Sequence, residues 1–157
     1  VAKAPGMDIS FYHALLKDYP NVISFENKTY SLLNQSIAAL VTSGTATLET
    51  ALFGVPEIIC YKGNKLSYQI AKRLVKIKFI GLVNLIMDKE VVKELIQDEL
   101  TTENLKRELH AILHDTDKKL QIERDYQHLQ AILTQGGNAS QNAADIILKF
   151  VESSANK

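Results

Sequence analysis

The sequence lacks the features that several protein classes need. It has a single cysteine among 157 residues, which excludes an internal disulfide framework and a cysteine-rich zinc site. Its 18 Lys and Arg residues equal its 18 Asp and Glu residues. Because a nucleic-acid binder normally carries net positive charge, we expect no nucleic-acid partner. No apolar run approaches the roughly 18 residues that span a membrane, and no signal peptide opens the chain.

What remains is the composition of an ordinary globular domain. Hydrophobic residues make up 46% of the chain and charged residues 23%, as in soluble domains with one core. Val1 rather than Met opens the sequence, and the first residues read like the interior of a longer one. We therefore expect this chain to be part of a longer protein.

Strand and helix patterns alternate over residues 1–100. Strands are expected at 1–4, 22–25, 37–41, 57–61 and 79–82, and helices at 9–19, 29–35, 45–53, 64–75 and 91–96. The continuous apolar run Ile37–Val41 suits a strand that is buried on both faces. This alternation predicts an α/β fold with a Rossmann-like parallel sheet flanked by helices.

Only helical patterns follow residue 100. Helices are expected to start at Thr101 or Thr102, at Asp115 or Thr116, and after the Gly136-Gly137 pair. The last helix is expected to bury Ala143, Ala144, Ile147, Leu148 and Val151. The prediction is a Rossmann-like domain at 1–100 and a helical tail at 101–157. That tail packs on the domain, on a domain outside this chain or on a partner chain.

The most informative motif runs from Ser43 to Glu49 and reads SGTATLE. It follows a predicted strand and opens a predicted helix, the place where open α/β sheets bind ligands. Gly44 lets an anion approach the backbone, Ser43, Thr45 and Thr47 add hydroxyl donors, and the helix start favours phosphate. Glu49 lies one turn beyond Thr45 and can accept bonds from ribose hydroxyls. The same residues are also typical of an ordinary capped helix.

Three further polar residues are candidates for a ligand site. Asn84 lies between the apolar pairs Leu82-Val83 and Leu85-Ile86, and a buried amide there needs partners. Those partners are either the backbone of a neighbouring strand or a ligand. Glu94 and Gln97 are three residues apart, which places them on one face of the predicted helix. They could bind a sugar hydroxyl or a base there, although such residues are also ordinary on a helix surface.

These motifs together resemble a known family. The residues 43–49 and Gly54-Val55-Pro56 resemble the carboxy-terminal half of two-domain nucleotide-sugar glycosyltransferases of the GT-B type. With Tyr61, Tyr68, the residues 71–76 (AKRLVK), Asn84-Leu85-Ile86 and the residues 90–97 (EVVKELIQ), the chain is similar to lipid-A-disaccharide synthases over residues 1–97.

The resemblance implies a reaction. Such enzymes join UDP-2,3-diacylglucosamine to 2,3-diacylglucosamine 1-phosphate (lipid X), giving lipid A disaccharide 1-phosphate and UDP, without a metal or a cofactor. Ser43, Gly44, Thr45 and Thr47 would then hold the diphosphate and Glu49 the ribose. The resemblance also implies that Asn84, Glu94 and Gln97 line the donor cleft.

The resemblance implies partners and a location as well. The acceptor domain and the general base would lie outside this chain, so we expect the chain to bind donor nucleotide without turnover. Peripheral contact of the whole enzyme with the cytoplasmic face of the inner membrane is also expected. Apart from the resemblance, an apolar face left exposed without the acceptor domain would favour a homodimer.

Two departures and two alternatives remain open. Val83 stands where many members of the family have Pro, and Met87-Asp88-Lys89 stands where Gly with a basic residue is expected. One alternative is another UDP-sugar enzyme of the same fold, such as a cell-wall N-acetylglucosaminyl transferase or a UDP-sugar epimerase. The other is a non-catalytic module that only binds a nucleotide or a partner protein.

Overall fold

A computed structural model gives the arrangement of residues 1–4, 6–42, 44–64, 78–135, 137 and 139–155. Its elements, in chain order, are α1 (Ile9–Leu16), α2 (Thr29–Leu33), β1 (Ala39–Val41), α3 (Thr45–Leu52), β2 (Glu57–Tyr61), α4 (Leu82–Met87), β3 (Lys93–Ile96), a 3-10 turn (Gln97–Glu99), α5 (Thr102–His114), α6 (Thr116–Thr134) and α7 (Ala139–Ala155). Of the predicted helix 64–75 only Asn64 is among the described residues, and the motif at 68–76 lies wholly outside them.

The sheet has three parallel strands in the order β1-β2-β3. Ile58 and Ile59 of the central strand are fully buried, and Val83 of α4 and Leu129 of α6 join them in one core. The predicted α/β class with a parallel, helix-flanked sheet is therefore confirmed, and the architecture is consistent with one half of a GT-B enzyme.

The strand predicted at 37–41 exists, but it is not buried on both faces. β1 lies at the edge of the three-stranded sheet, and Leu40 is 51% exposed. The apolar run correctly indicates a strand, but it does not reveal which position that strand takes in the sheet.

Two elements near the end of the sheet unit were predicted with the wrong type. Residues 79–82 were expected to form a strand, yet they lead into α4, which begins at Leu82. Residues 91–96 were expected to be helical, yet Lys93–Ile96 form β3 and pair with β2. Glu94 and Gln97 therefore do not share a helical face.

The strands predicted at 1–4 and 22–25 are present only as one parallel bridge between Ala2 and Phe25. The Phe25 N–H donates to the Val1 carbonyl at 2.8 Å, and the Lys3 N–H donates to the Phe25 carbonyl at 2.9 Å. The two expected segments do meet, but over a single bridge.

Two of the carboxy-terminal helices, α5 and α6, begin where their predicted capping residues indicate. The Thr101 hydroxyl accepts from the Asn104 N–H at 3.1 Å and the Asp115 carboxylate from the Lys118 N–H at 3.0 Å, so both predicted caps are present. α5 packs on β2 and β3, and α6 packs on α3 and α4.

The last helix, α7, differs from its prediction. The sequence predicts that Ala143, Ala144, Ile147, Leu148 and Val151 are buried, but all five are exposed, the last three by more than half. The periodic pattern identifies an apolar face correctly, and nothing in the described part of the chain covers that face.

Candidate functional site

The start of α3 is open around Gly44. Gly44 precedes the helix with φ 119°, a left-handed value that favours glycine, and a Cβ there would meet no described atom within 4 Å. No side chain of the described residues caps this helix. Thr45 at its first position is exposed. The unpaired N–H groups of a helix start and its positive dipole end favour an anion.

The sequence predicts that the Thr47 hydroxyl binds a ligand, but in the structure this hydroxyl is bonded within the protein. It is fully buried, and its hydroxyl donates to the Gly44 carbonyl at 2.8 Å. Thr47 thus holds the turn that presents Gly44 and Thr45. Ser43, the remaining hydroxyl of the motif, lies outside the described residues.

Glu49 lies one turn further along α3 and lines an open cavity of about 520 Å³. The opposite wall is the segment Asn27–Ser31, in which Asn27 has φ 54°. The Tyr30 ring stacks on Phe53 with centroids 5.2 Å apart. Sequence reasoning missed this wall. The signal for it was a polar turn directly after the predicted strand 22–25, at the carboxyl end where ligands bind.

Gln97 follows β3 directly, at the same carboxyl edge of the sheet. Its backbone has φ 54° and its side chain is only 6% exposed. Neither the amide nitrogen nor the amide oxygen has a hydrogen-bond partner among the described residues. Because a buried polar group without partners is costly, this amide is a candidate for contact with a group outside the described atoms.

Asn84 and Glu94 are used inside the protein. The Asn84 Oδ1 accepts from the Val91 and Val92 N–H groups at 2.8 and 3.0 Å, and its Nδ2 donates to the Val92 carbonyl at 2.8 Å. The same Nδ2 donates to Glu94 Oε1 at 2.9 Å. Of the two partners considered for Asn84, the structure shows the backbone. Direct contact with a ligand would require these bonds to break.

The predicted residues therefore fall into two groups: those whose side chains make no described bond within the protein, and those whose side chains are bonded inside it. Gly44, Thr45 and Glu49 share the start of α3, and Gln97 lies at the end of β3, two strands away. With strands about 4.8 Å apart, that separation is roughly 10 Å across the sheet. Thr47, Asn84 and Glu94 support these elements from within.

The most perturbed carboxyl group lies at the other end of the sheet. Glu57 opens β2, is fully buried, and has no side-chain hydrogen bond to any described residue. Burial raises the pKa of Glu57 to about 9. The nearby Tyr126 hydroxyl donates to the Val55 carbonyl at 3.2 Å, and burial raises the pKa of Tyr126 as well. These groups are remote from the α3 start and belong to the packing of α6 on the sheet.

The described segments contain no group of three or more His, Cys, Asp or Glu side chains placed to hold a metal ion. Among the helices described, none is long and apolar enough to cross a membrane.

Comparison with known proteins gives a consistent result. A family model for lipid-A-disaccharide synthetase matches residues 7–150. The lipid-A-disaccharide synthase of Syntrophus aciditrophicus is 40% identical over 137 residues, which cover 87% of this chain and 36% of the relative. That of Koribacter versatilis is 32% identical over 156 residues, 98% of this chain and 41% of the relative. The synthase of Psychromonas ingrahamii is 47% identical over 89 residues, 57% of this chain and 23% of the relative.

The chain spans well under half the length of these relatives, so it corresponds to one part of such a protein. The family match covers most of the chain, including all three strands and the candidate site. The chain belongs to the lipid-A-disaccharide synthetase family.

Proposed function

We propose that this chain is the donor-nucleotide half of a glycosyltransferase that condenses UDP-2,3-diacylglucosamine with lipid X to give lipid A disaccharide 1-phosphate and UDP. The relatives' name and the family match support the reaction class. In this proposal residues 1–100 form the nucleotide-binding domain, and residues 101–157 form a helical part that packs on it through α5 and α6. The acceptor site and the general base lie in a part of the enzyme outside this chain.

The start of α3 would hold the diphosphate. The backbone at Gly44 and Thr45 offers N–H donors where negative charge grows on the departing UDP, and Ser43 and Thr45 add hydroxyls. Preorganised donors of this kind stabilise a leaving group without reorganising during the reaction. The proposal assigns this work to the chain's own donors, with no metal or cofactor.

Glu49 would accept bonds from the ribose hydroxyls, in the cavity that it shares with residues 27–31. Thr47 would contribute by holding the α3 turn. Asn84 and Glu94 would belong to the donor cleft through the elements they join.

The single observation that carries the proposal is Gln97. Its buried amide has a donor and an acceptor without described partners, directly beyond a strand at the carboxyl edge of a parallel sheet. A sugar or phosphate oxygen there would satisfy the amide nitrogen. Such a contact explains why a polar side chain is kept in this place.

The acyl chains of the proposed substrates support a location for the whole enzyme, and the surface of α7 supports a further partner. Because both carry fatty-acyl chains, we propose that the whole enzyme acts at the cytoplasmic face of the inner membrane as a peripheral protein. The exposed apolar face of α7 supports a second copy of the chain as a further partner.

Calorimetric titration with UDP tests the nucleotide site. We expect saturable binding by the native chain and a loss of about tenfold or more in Glu49→Ala, because two hydrogen bonds to ribose disappear. Gln97→Ala should also weaken binding. Glu103→Ala, which removes an exposed carboxylate on α5, is the matched control and should bind like the native chain.

Two results would count against the proposal. Equal affinity in Glu49→Ala and Glu103→Ala would remove Glu49 from the site. Absence of binding by the native chain would reject the claim that this part alone holds the donor nucleotide.

A further inference from the structure

A closed hydrogen-bond network joins α4 to β3 beneath the candidate site. Glu94 Oε2 accepts from the Ile80 N–H at 2.9 Å, and Glu94 Oε1 accepts from the Gly81 N–H at 3.0 Å. Asn84 connects this carboxylate to the backbone of Val91 and Val92 through the four contacts given above. Both side chains are buried, and every polar atom of each has a partner.

The carboxylate of Glu94 thereby occupies the start of α4. This helix has only six residues, and a helix of that length has little stability of its own. The two N–H groups that Glu94 binds belong to the residues just before the helix, so the carboxylate fixes the turn that leads into α4.

Gly81 makes this close approach possible. A Cβ at residue 81 would overlap the Ile59 Cδ1 and would lie 3.2 Å from Glu94 Oε1. The backbone before α4 therefore lies directly against the central strand and against β3.

The network leads to Gln97 along three residues of backbone. Glu94 pairs with Ile59, Leu95 with Cys60 and Ile96 with Tyr61. Gln97 is the first residue beyond this ladder and turns into the left-handed region at φ 54°. The position of its amide therefore depends on how β3 is held, and the network bonds the two residues just before β3 together with the side chain of its second residue.

We propose that Asn84 and Glu94 are positioning residues, which fix β3 and so place the Gln97 amide at the donor site without contacting the nucleotide themselves. The proposal rests on the proposed function, because the value of that placement is UDP binding. It also replaces the simpler expectation that all three side chains line the cleft as ligands.

The first test reads Gln97 in the unliganded chain. In ¹⁵N-labelled protein, Asn84→Asp should shift both the backbone and the side-chain amide resonances of Gln97, because a carboxylate beside Glu94 repels it and loosens β3. Asn34→Asp makes the same exchange at an exposed position and should leave them unchanged. Should Asn84→Asp fail to fold, Glu94→Gln is used, since it removes only one of the acceptor oxygens.

The second test is a double-mutant cycle on UDP affinity. Asn84→Asp should weaken UDP binding about tenfold, the cost of one misplaced hydrogen bond. Added to Gln97→Ala, it should cause little further loss, because its effect passes through Gln97. Added to Glu49→Ala, its effect should be multiplied in full.

The outcomes separate the proposals. Unchanged Gln97 resonances in a folded Asn84 or Glu94 variant would overturn the positioning role. Full additivity with Gln97→Ala would also overturn it and would favour direct contact or a general loss of stability. If the native chain does not bind UDP, the proposed function fails, and the resonances of Gln97 still decide the positioning role.

Discussion

At the scale of single residues, Glu57 is the least expected. A carboxyl group at the first position of a central strand has no described hydrogen-bond partner and is fully buried. The sequence run EIICY predicts a buried strand, but it gives no sign that the glutamate is buried with it. Burial penalises the charged form, so the group stays protonated in the folded chain at neutral pH.

This burial predicts a pH-dependent stability. The pKa of Glu57 is raised from 4.5 to about 9 on folding, so the folded chain binds one more proton than the unfolded chain between these values. Its stabilising effect is fully present below pH 4.5 and is lost as the pH rises toward 9. The free energy of unfolding should therefore fall by about 1.4 kcal/mol per pH unit in that window.

Urea unfolding of the native chain and Glu57→Gln at pH 6 and pH 8 checks this. The free energy of unfolding of Glu57→Gln should not fall with this slope between pH 6 and pH 8. The stability of the variant relative to the native chain should therefore be greater at pH 8 than at pH 6. Glu103→Gln, at an exposed site, should keep the native slope. Parallel pH profiles for the native chain and Glu57→Gln would show that Glu57 is ionised in the folded state.

At the scale of elements, α4 and β3 show where local patterns stop being sufficient. The segment VVKELI carries apolar residues at a spacing that suits a helix, yet it pairs with β2. Asn84, from another element, binds the backbone of Val91 and Val92 and so favours the extended form. The start of α4 is fixed in the same way by Glu94. These bonds join residues 7 to 14 positions apart across the connection between α4 and β3, and the spacing of apolar residues does not reveal them.

The elements around the candidate site differ in how far the sequence could predict them. The α3 start follows from a local motif of seven residues, so its position was foreseeable. The unpaired state of Gln97 depends on its left-handed backbone and on the strands around it, which are not local. Proximity in the chain suggested a shared helical face for Glu94 and Gln97. In the structure one of them is bonded internally and the other is not.

The contact between Gly81 and β2 predicts a specific packing defect. Gly81→Ala should lower the free energy of unfolding by about 1–3 kcal/mol, because the new methyl group overlaps a fully buried isoleucine. Ile59→Val removes the overlapped Cδ1 and alone should cost about 0.5–1.5 kcal/mol. The double variant should recover part of the Gly81→Ala loss, as measured by urea unfolding. Purely additive losses would contradict the proposed contact.

At the scale of the whole molecule, α7 carries an exposed apolar face within the described part of the chain. Ile146, Ile147, Phe150 and Val151 are all more than half exposed and recur along one side of a helix. Contiguous apolar surface of this kind favours association. The helical pattern was foreseeable from the sequence, but its lack of cover was not, because cover depends on what packs against it.

We therefore expect the 17.5 kDa chain to self-associate as its concentration rises. In sedimentation velocity, the native chain should move to larger species while Ile147→Lys/Phe150→Lys remains monomeric. Leu120→Lys/Leu133→Lys makes the same kind of change at two exposed apolar residues of α6 and serves as the control. A native chain that stays monomeric throughout, or equal behaviour of the two variants, would contradict the expectation.

The buried Glu57 also couples folding to the uptake of a hydrogen ion. At neutral pH the unfolded chain carries this carboxylate charged, and the folded chain carries it protonated. Each molecule that folds therefore removes a hydrogen ion from its solution. The heat of folding then includes the heat with which the buffer gives up that ion, so two buffers of equal pH will report different folding enthalpies for the same chain.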